Sequence, residues 1–144
     1  MARGYSCPVE CRIYRRGERY EGSQGMSYFE GLSGAGICMV ELEVPPGGRS
    51  RAHLHRGVES VGYVLEGELE MLWGAELQHR DRIRTGELAY IPADVPHLVL
   101  NPTAAIARAL VAHTAASDQE GIELLPELES AVAISGAPAP RPSP

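Results

Sequence analysis

The sequence predicts an all-β barrel or sandwich that forms a single domain. Short segments of alternating apolar and polar residues, separated by Gly- and Pro-containing turns at intervals of roughly ten residues, dominate the middle of the chain. Glu66-Gly67 is typical of a tight hairpin turn between two such segments. The chain has 144 residues and no internal repeat, which suits one hydrophobic core and excludes two duplicated barrels.

The elements follow in chain order. Residues 1–34 are expected to form an N-terminal arm, and the stretch before residue 35 is typical of an irregular one. The first strand, 35–44, has apolar residues at the even positions from Cys38 to Val44. Further strands are expected at 50–56, 60–66, 68–73, 87–91, 97–101 and 106–113. Residues 35–115 are therefore predicted to form the core of the barrel.

Two segments are expected to follow this core. Residues 116–135 should pack on the barrel, and the part from 122 to 134, which is interrupted by Pro126, should contain a short strand or turn and then a short helix. Residues 136–144 have the sequence GAPAPRPSP, whose Pro- and Ala-rich composition predicts a disordered tail.

Three histidines in two short segments are the strongest functional signal. His53 and His55 flank Leu54, and residues two apart in a strand point to the same face, so both imidazoles can approach one cation. His97 follows a Pro- and Asp-containing turn and begins another apolar strand. Neutral imidazole is a common ligand of divalent transition metals. The pattern predicts a metal site if a hairpin brings His97 back beside the pair.

The two segments resemble the two motifs of the cupin superfamily. The first motif has a glycine, an H-x-H pair, an acid and a closing glycine, and its counterparts here are Gly47, Gly48, His53, His55, Glu59 and Gly67. The second has a glycine, Pro-x-Gly, a histidine and an asparagine, and its counterparts are Gly86, Pro92, His97 and Asn101, with Asp94 at the second glycine. Asp94 is a mild departure because Asp tolerates left-handed backbone better than most residues.

The resemblance covers residues 35–115 and implies a small single-domain cupin of the "cupin 2" type. The expected fold is one double-stranded β-helix, or jelly-roll, barrel with a short N-terminal arm and a C-terminal segment. The resemblance also implies a metal site formed by His53, His55 and His97, and a homodimer. The apolar strand face of Val61, Tyr63 and Leu65 would suit a dimer interface.

The acidic ligand of the family is displaced in this chain. The position where the family usually has its glutamate is Ser60, and Glu59 lies one residue earlier. Strand alternation places Ser60 and Glu59 on opposite faces, which directs Glu59 away from the metal unless a bulge rotates it back. Two alternatives remain: Glu59 as a fourth ligand, or a three-histidine site with open positions for water or substrate.

Three further residues are candidates for catalytic roles beside Glu59. A regular strand through the H-x-H pair would direct the Arg51 guanidinium into the same cavity, where it could pair with a substrate carboxylate or phosphate, although a rim position is an equal alternative. His113 ends the last barrel strand and could act as an acid or base at the barrel mouth. Tyr90 could form part of a substrate platform, or could simply pack in the core.

Composition excludes several other functions. All 13 basic residues are arginines, so a Schiff-base nucleophile, pyridoxal phosphate on its usual lysine, and a P-loop are excluded. The formal net charge of -6, without a basic stripe, argues against a nucleic-acid partner. No segment is long and apolar enough for a signal peptide or membrane span, so we expect no membrane partner and a cytoplasmic location.

Two function classes remain. The first is a metal-dependent enzyme that acts on a small polar or anionic molecule inside the barrel, with one divalent transition metal that the sequence does not identify as zinc, iron, manganese or nickel. The resemblance implies a dioxygenase with iron, isomerase or lyase chemistry with the other metals, or zinc-dependent nitrogen–nitrogen bond formation in a biosynthetic pathway. The second class is a non-catalytic metal- or ligand-binding cupin that serves as a sensor or carrier.

Overall fold

The computed structural model describes residues 10–134, and these residues are nearly all β. The strands are Arg19–Glu21 (β1), Ser27–Ser33 (β2), Cys38–Val44 (β3), His53–His55 (β4), Ser60–Glu66 (β5), Glu68–Trp73 (β6), His79–Arg84 (β7), Leu88–Ile91 (β8), His97–Leu100 (β9), Ala107–His113 (β10) and Ile122–Leu124 (β11). A 3₁₀ turn at Pro126–Leu128 and one helix, Glu129–Ile134 (α1), follow. No helix of this part of the chain has the length and apolar character needed to cross a bilayer.

The strands form two antiparallel sheets that pack face to face. Sheet A has the order β1-β2-β3-β10-β5-β8, and sheet B has the order β11-β4-β9-β6-β7. Neighbours in each sheet are mostly far apart in sequence, as in a jelly roll, whose successive strands cross from one sheet to the other. This architecture confirms the all-β prediction and the single jelly-roll barrel.

Two elements differ from the sequence-based expectation. The arm before residue 35 is not irregular throughout, because β1 and β2 lie in it and β2 pairs with β3 to extend sheet A. Strand β7 was not expected, since its sequence HRDRIR contains a single buried residue, Ile83. It pairs along its whole length with β6 and forms the edge of sheet B. The predicted tail at 136–144 lies outside the described residues.

Apolar side chains fill two regions on either side of sheet B. The first, between the sheets, comprises Met26, Tyr28, Val40, Leu42, Val44, Val64, Leu69, Met71, Ile83, Ala107 and Ala109. The second lies under the C-terminal segment and comprises Ala52, Leu54, Leu72, Leu77, Leu98, Leu100, Leu125 and Val132. An ion pair of 2.7 Å between Arg49 and Glu129 ties the start of α1 to the barrel. Sheet B is therefore buried on both faces where it carries the histidines.

The turn before β9 fixes the position of the second motif against the first. Asp94 has the positive φ of 64° that the motif's glycine would adopt, as expected for this departure. Its carboxylate accepts a hydrogen bond of 3.0 Å from the backbone N–H of Gly57. Its own backbone N–H donates to the carbonyl of His55 at 3.0 Å. The Asp side chain thus joins the two segments, which a glycine at this position could not do.

Candidate metal centre

The histidines of the two motifs converge at the inner face of sheet B. His53 and His97 are register partners on neighbouring strands β4 and β9, so the hairpin geometry anticipated for His97 is confirmed. One ligand nitrogen of each of His53, His55 and His97 lies within 4.8 Å of the other two, and no other such group of His, Cys, Asp and Glu occurs within residues 10–134. All three side chains are buried, with at most 5% of their surface exposed.

Backbone hydrogen bonds orient two of the rings. Nδ1 of His53 lies 2.7 Å from the carbonyl oxygen of Arg51, and Nδ1 of His97 lies 2.9 Å from that of Val95. A carbonyl can only accept, so each Nδ1 carries the proton and each Nε2 keeps a free lone pair. Nδ1 of His55 is also buried, and the backbone of Glu120 partly offsets the effect of burial on the pKa of this ring.

Burial also keeps these rings uncharged. It lowers the pKa of His53 well below the ordinary value and lowers that of His97 to about 4, and each ring is further disfavoured as a cation by its histidine neighbours. Burial lowers the pKa of His55 as well. Three neutral imidazoles with convergent lone pairs form a donor set that suits a divalent transition-metal ion. The residues present therefore fit the metal that the sequence predicted.

A fourth histidine lies beside the cluster and was expected at the barrel mouth. His113 is buried, and its ring stacks on that of His55 with centroids 5.1 Å apart. Its Nδ1 lies 2.7 Å from the hydroxyl oxygen of Ser60, its register partner across β5 and β10. Burial, reinforced by His55, lowers the pKa of His113 to about 4. Ser60 and His113 thus form a hydrogen-bonded pair in the wall next to the three ligands.

Glu59 and Tyr90 lie on the other side of sheet A. Tyr90 donates a hydrogen bond of 2.5 Å to the Glu59 carboxylate, and both side chains are exposed. This hydrogen bond is the main reason why the pKa of Tyr90 is raised. Thr114 donates to the Glu59 carbonyl at 3.0 Å through its backbone N–H, which leaves no bulge to turn the residue inward. The geometry corresponds to the three-histidine alternative, and Glu59 and Tyr90 do not line the cavity.

Arg51 also does not point into the barrel. Its side chain is exposed, which corresponds to the rim alternative, and it is absent from the cavity wall. Strand β4 begins only at His53, so the alternation that would direct Arg51 inward does not extend back to it. Its contribution to the site comes from the backbone, whose carbonyl accepts from His53. The backbone N–H of Arg51 donates a hydrogen bond of 2.8 Å to the backbone carbonyl of Gln24.

The histidines open onto a cavity between the sheets. Its wall consists of Gln24, Met26, Tyr28, Leu42, Ser50, His53, His55, Ser60, Gly62, Val64, Leu69, Met71, Ile83, Ala89, Ile91, His97, Val99, Ala109, Val111 and His113. The sequence had not suggested a role for Gln24 and Tyr28, which come from the arm and hydrogen-bond each other at 2.5 Å. The alternate apolar positions Met26 and Tyr28 were the available signal for an inward-facing strand.

A jelly-roll barrel with three convergent buried histidines defines a class of metal-binding barrel proteins. A family model described as "Cupin domain" matches residues 40–113, just over half of the chain. The chain therefore belongs to the cupin domain family. The fold, the family and the histidine cluster together support a metal-binding cupin.

The chain is also similar to individual proteins, with identities below 30%. Germin-like protein 1 of Brassica napus is 28% identical over 102 residues, which are 69% of this chain and 48% of that protein, so the chain spans about half of its length. The crystal structure of TT1209 from Thermus thermophilus is 26% identical, with a TM-score of 0.57 over 67% of this chain and 89% of that one.

Two further structures share the fold. A conserved protein with a double-stranded β-helix domain from Klebsiella pneumoniae is 18% identical, with a TM-score of 0.64 over 80% of this chain and 97% of that one. A structure of oxalate oxidase is 24% identical, with a TM-score of 0.61 over 83% of this chain and 62% of that one. At these identities the likeness shows the fold alone.

Proposed function

We propose that this protein is a metal-dependent enzyme that acts on a small molecule inside the barrel. The observation that carries the proposal is that two sets of side chains lie next to each other in the wall of the cavity. Three neutral histidines converge on one point, and a fourth, His113, stands beside them with its own hydrogen-bond partner, Ser60. A carrier needs the first group only, whereas chemistry also needs a group that moves a proton.

The residues around the cavity have distinct roles in this proposal. A divalent metal held by His53, His55 and His97 would polarise a bound oxygen or carbonyl group, or supply redox chemistry with oxygen if it is iron. Ser60 fixes Nδ1 of His113, so Nε2 is the nitrogen that exchanges a proton with the bound molecule. Burial lowers the pKa of His113 to about 4, so its ring is neutral near pH 7. The mostly apolar wall places the bound molecule in a less polar environment than bulk water.

The experiment that tests this function is elemental analysis of untagged protein purified without added metal. We expect about one equivalent of a single transition metal per chain. Less than about a tenth of an equivalent of any such metal overturns the proposal. The identity of the metal then selects the reaction class, since iron indicates oxygen chemistry and zinc indicates hydrolytic, isomerising or bond-rearranging chemistry.

We also propose that a second copy of the chain covers the outer face of sheet A. Val61, Tyr63 and Leu65 on β5 are exposed there, beside Leu88 on β8, which is 69% exposed. Arg108 on the same face already pairs with Glu66 at 2.6 Å and with Glu43 at 3.2 Å. The face therefore offers an apolar centre on which the charge of Arg108 is already paired, which suits a self-complementary two-fold contact.

A further inference from the structure

Among the described residues, no charged side chain lines the cavity, so a bound metal ion would be the only charged group in its wall. Within residues 10–134, no Arg, Asp or Glu side chain lines it. The buried carboxylate of Asp118 is not part of the wall; it accepts a hydrogen bond of 2.9 Å from Gln119, and its charge acts on His55 and His113 from outside the wall. Three neutral imidazoles and this one acid leave the charge of a divalent ion only partly compensated, which favours a ligand with an anionic oxygen at the histidines. A second charge on that ligand would be buried without a partner, which is strongly unfavourable.

Strand register divides the cavity into a polar end and an apolar end. Ser60 pairs with His113 across the sheet, and two residues further along the same strands Gly62 pairs with Val111. In sheet B, two residues beyond His97 along β9, Val99 pairs with Met71. Two residues of strand correspond to about 7 Å. The residues that face the cavity from β5, β9 and β10 therefore change from polar to apolar within about 7 Å of the histidines, and Gln24, Tyr28 and Ser50 add uncharged polar groups to the wall.

Gly62 leaves space at the beginning of the apolar end. A Cβ on Gly62 would meet only the backbone oxygen of Leu110, at 3.8 Å, which is an ordinary contact. Its φ is not in the left-handed region, so neither the backbone conformation nor a close approach requires glycine here. Glycine in a strand interior is unfavourable and often marks a close approach of a ligand. Its register partner on the edge strand, Ala89, is also small and lines the same cavity.

We propose that the substrate of this site has one anionic, chelating oxygen head and an uncharged apolar body, and that the body lies over Gly62 and Ala89. This substrate class rests on the proposed metal-dependent function. It excludes dicarboxylates whose second carboxylate would enter the apolar end. Gly62 is the residue that selects for the body, since any larger side chain there would fill the space beyond the polar end.

The test compares two probes that share a 2-oxo acid head. In 2-oxoglutarate the far end is a carboxylate, and in 5-methyl-2-oxohexanoate it is an isopropyl group with the same number of non-hydrogen atoms. Each is titrated into cobalt-loaded protein, with binding followed by the visible absorption of cobalt and by calorimetry. We expect 5-methyl-2-oxohexanoate to bind at least about tenfold more tightly. Equal or tighter binding of 2-oxoglutarate, or no binding of either probe, overturns the substrate class.

The variant Gly62→Leu tests whether the apolar body of the substrate lies over residue 62. It should keep full cobalt stoichiometry and bind pyruvate, which has the head alone, as the wild type does, but lose at least about tenfold in affinity for 5-methyl-2-oxohexanoate. Gly36→Leu, at an exposed glycine with open space around it, is the matched control and should bind both probes normally. Unchanged affinity in Gly62→Leu overturns the assignment of Gly62. Failure of the wild type to bind cobalt overturns the metal site itself, and is distinguished by the cobalt stoichiometry.

Discussion

The two faces of β5 belong to different chemical environments. The inner face presents Ser60, Gly62 and Val64 to a mostly apolar cavity beside neutral histidines. The outer face presents Val61, Tyr63 and Leu65 to solvent, next to a carboxylate from Glu59. A shift of one position along the chain therefore decides whether an acidic side chain faces the metal site or forms a hydrogen bond at the surface. The comparison shows that strand parity, more than the presence of an acid in a motif, determines the ligand set.

The largest effect is expected on the inner face. His97→Ala removes one of three convergent nitrogens from a site with no carboxylate, so metal affinity should fall by at least about a hundredfold. Elemental analysis after dialysis measures the loss, and circular dichroism checks that the barrel remains folded. His79→Ala removes an exposed imidazole from β7 and is the matched control. Retention of metal by His97→Ala would contradict the assigned site.

A pH effect on the metal-free barrel should be the next largest. The pKa values of His97 and His113 are lowered from 6.5 to about 4, mainly by burial, so the unfolded chain binds these protons at higher pH than the native state does. Stability is therefore fully present above about pH 6.5 and is lost as the pH falls towards 4. Between pH 7.5 and 5.0 the loss should be about 2 kcal/mol per histidine.

Urea unfolding of chelator-treated protein at these two pH values measures the difference. The variant His113→Gln should lose its share of the pH dependence, because it removes one of the buried titrating rings. An unfolding free energy that is the same at both pH values would show that the inner face is more hydrated than the structure indicates.

A smaller effect, of at least about tenfold, is expected on self-association when the outer face is charged. Tyr63→Arg places a cation in the middle of the proposed dimer interface, where it would be buried without a partner. Analytical ultracentrifugation should find twice the mass of one chain for the wild type and a weakened dimer for the variant. Leu124→Arg alters an exposed apolar residue of sheet B and is the control. A monomeric wild type would overturn the proposed dimer.

The smallest effect is expected for Glu59, because its carboxylate points away from the cavity. Glu59→Gln should leave metal affinity within about twofold of the wild-type value, as measured by competition with a chelating dye. The paired exchange Glu59→Ser with Ser60→Glu moves the carboxylate to the inner face. There it can reach the cation, and we expect metal affinity to rise by about tenfold. Loss of metal in Glu59→Gln would restore the four-ligand alternative.

Much of the barrel and its metal site follows from local sequence. Alternation locates most strands to within a few residues, and the spacing of His53 and His55 requires only that β4 be extended. Parity correctly separates Ser60 from Glu59, as the exposed Glu59 and the cavity-facing Ser60 confirm. These inferences succeed because each depends on a period of two within one strand.

Other features depend on partners far away in sequence. Most side chains of β7 are charged and pair with acids on β6, as Arg80 and Arg82 do with Glu70. The sequence of β7 therefore lacks the apolar alternation that predicts a strand. Strand β2 is extended through its hydrogen bonds to β3, with a register shift between Phe29 and Leu32. The cavity-facing alternative for Arg51 extended the parity of His53 beyond the point where the strand begins, and the rim alternative is the one that the structure matches. In each case the deciding contact is non-local, and single-strand patterns do not contain it.

The register of β4 has a consequence for how this barrel stays closed. The pair His53 and His97 is the only register pair between strands β4 and β9 in the described chain, and hydrogen bonds from Ser50 to Val99 and from Asp94 to His55 join the flanking segments. A cation bound at this pair would add a further link between the two strands and would stabilise the folded state with the logarithm of its free concentration. Metal supply would then affect the stability of the protein as well as its activity.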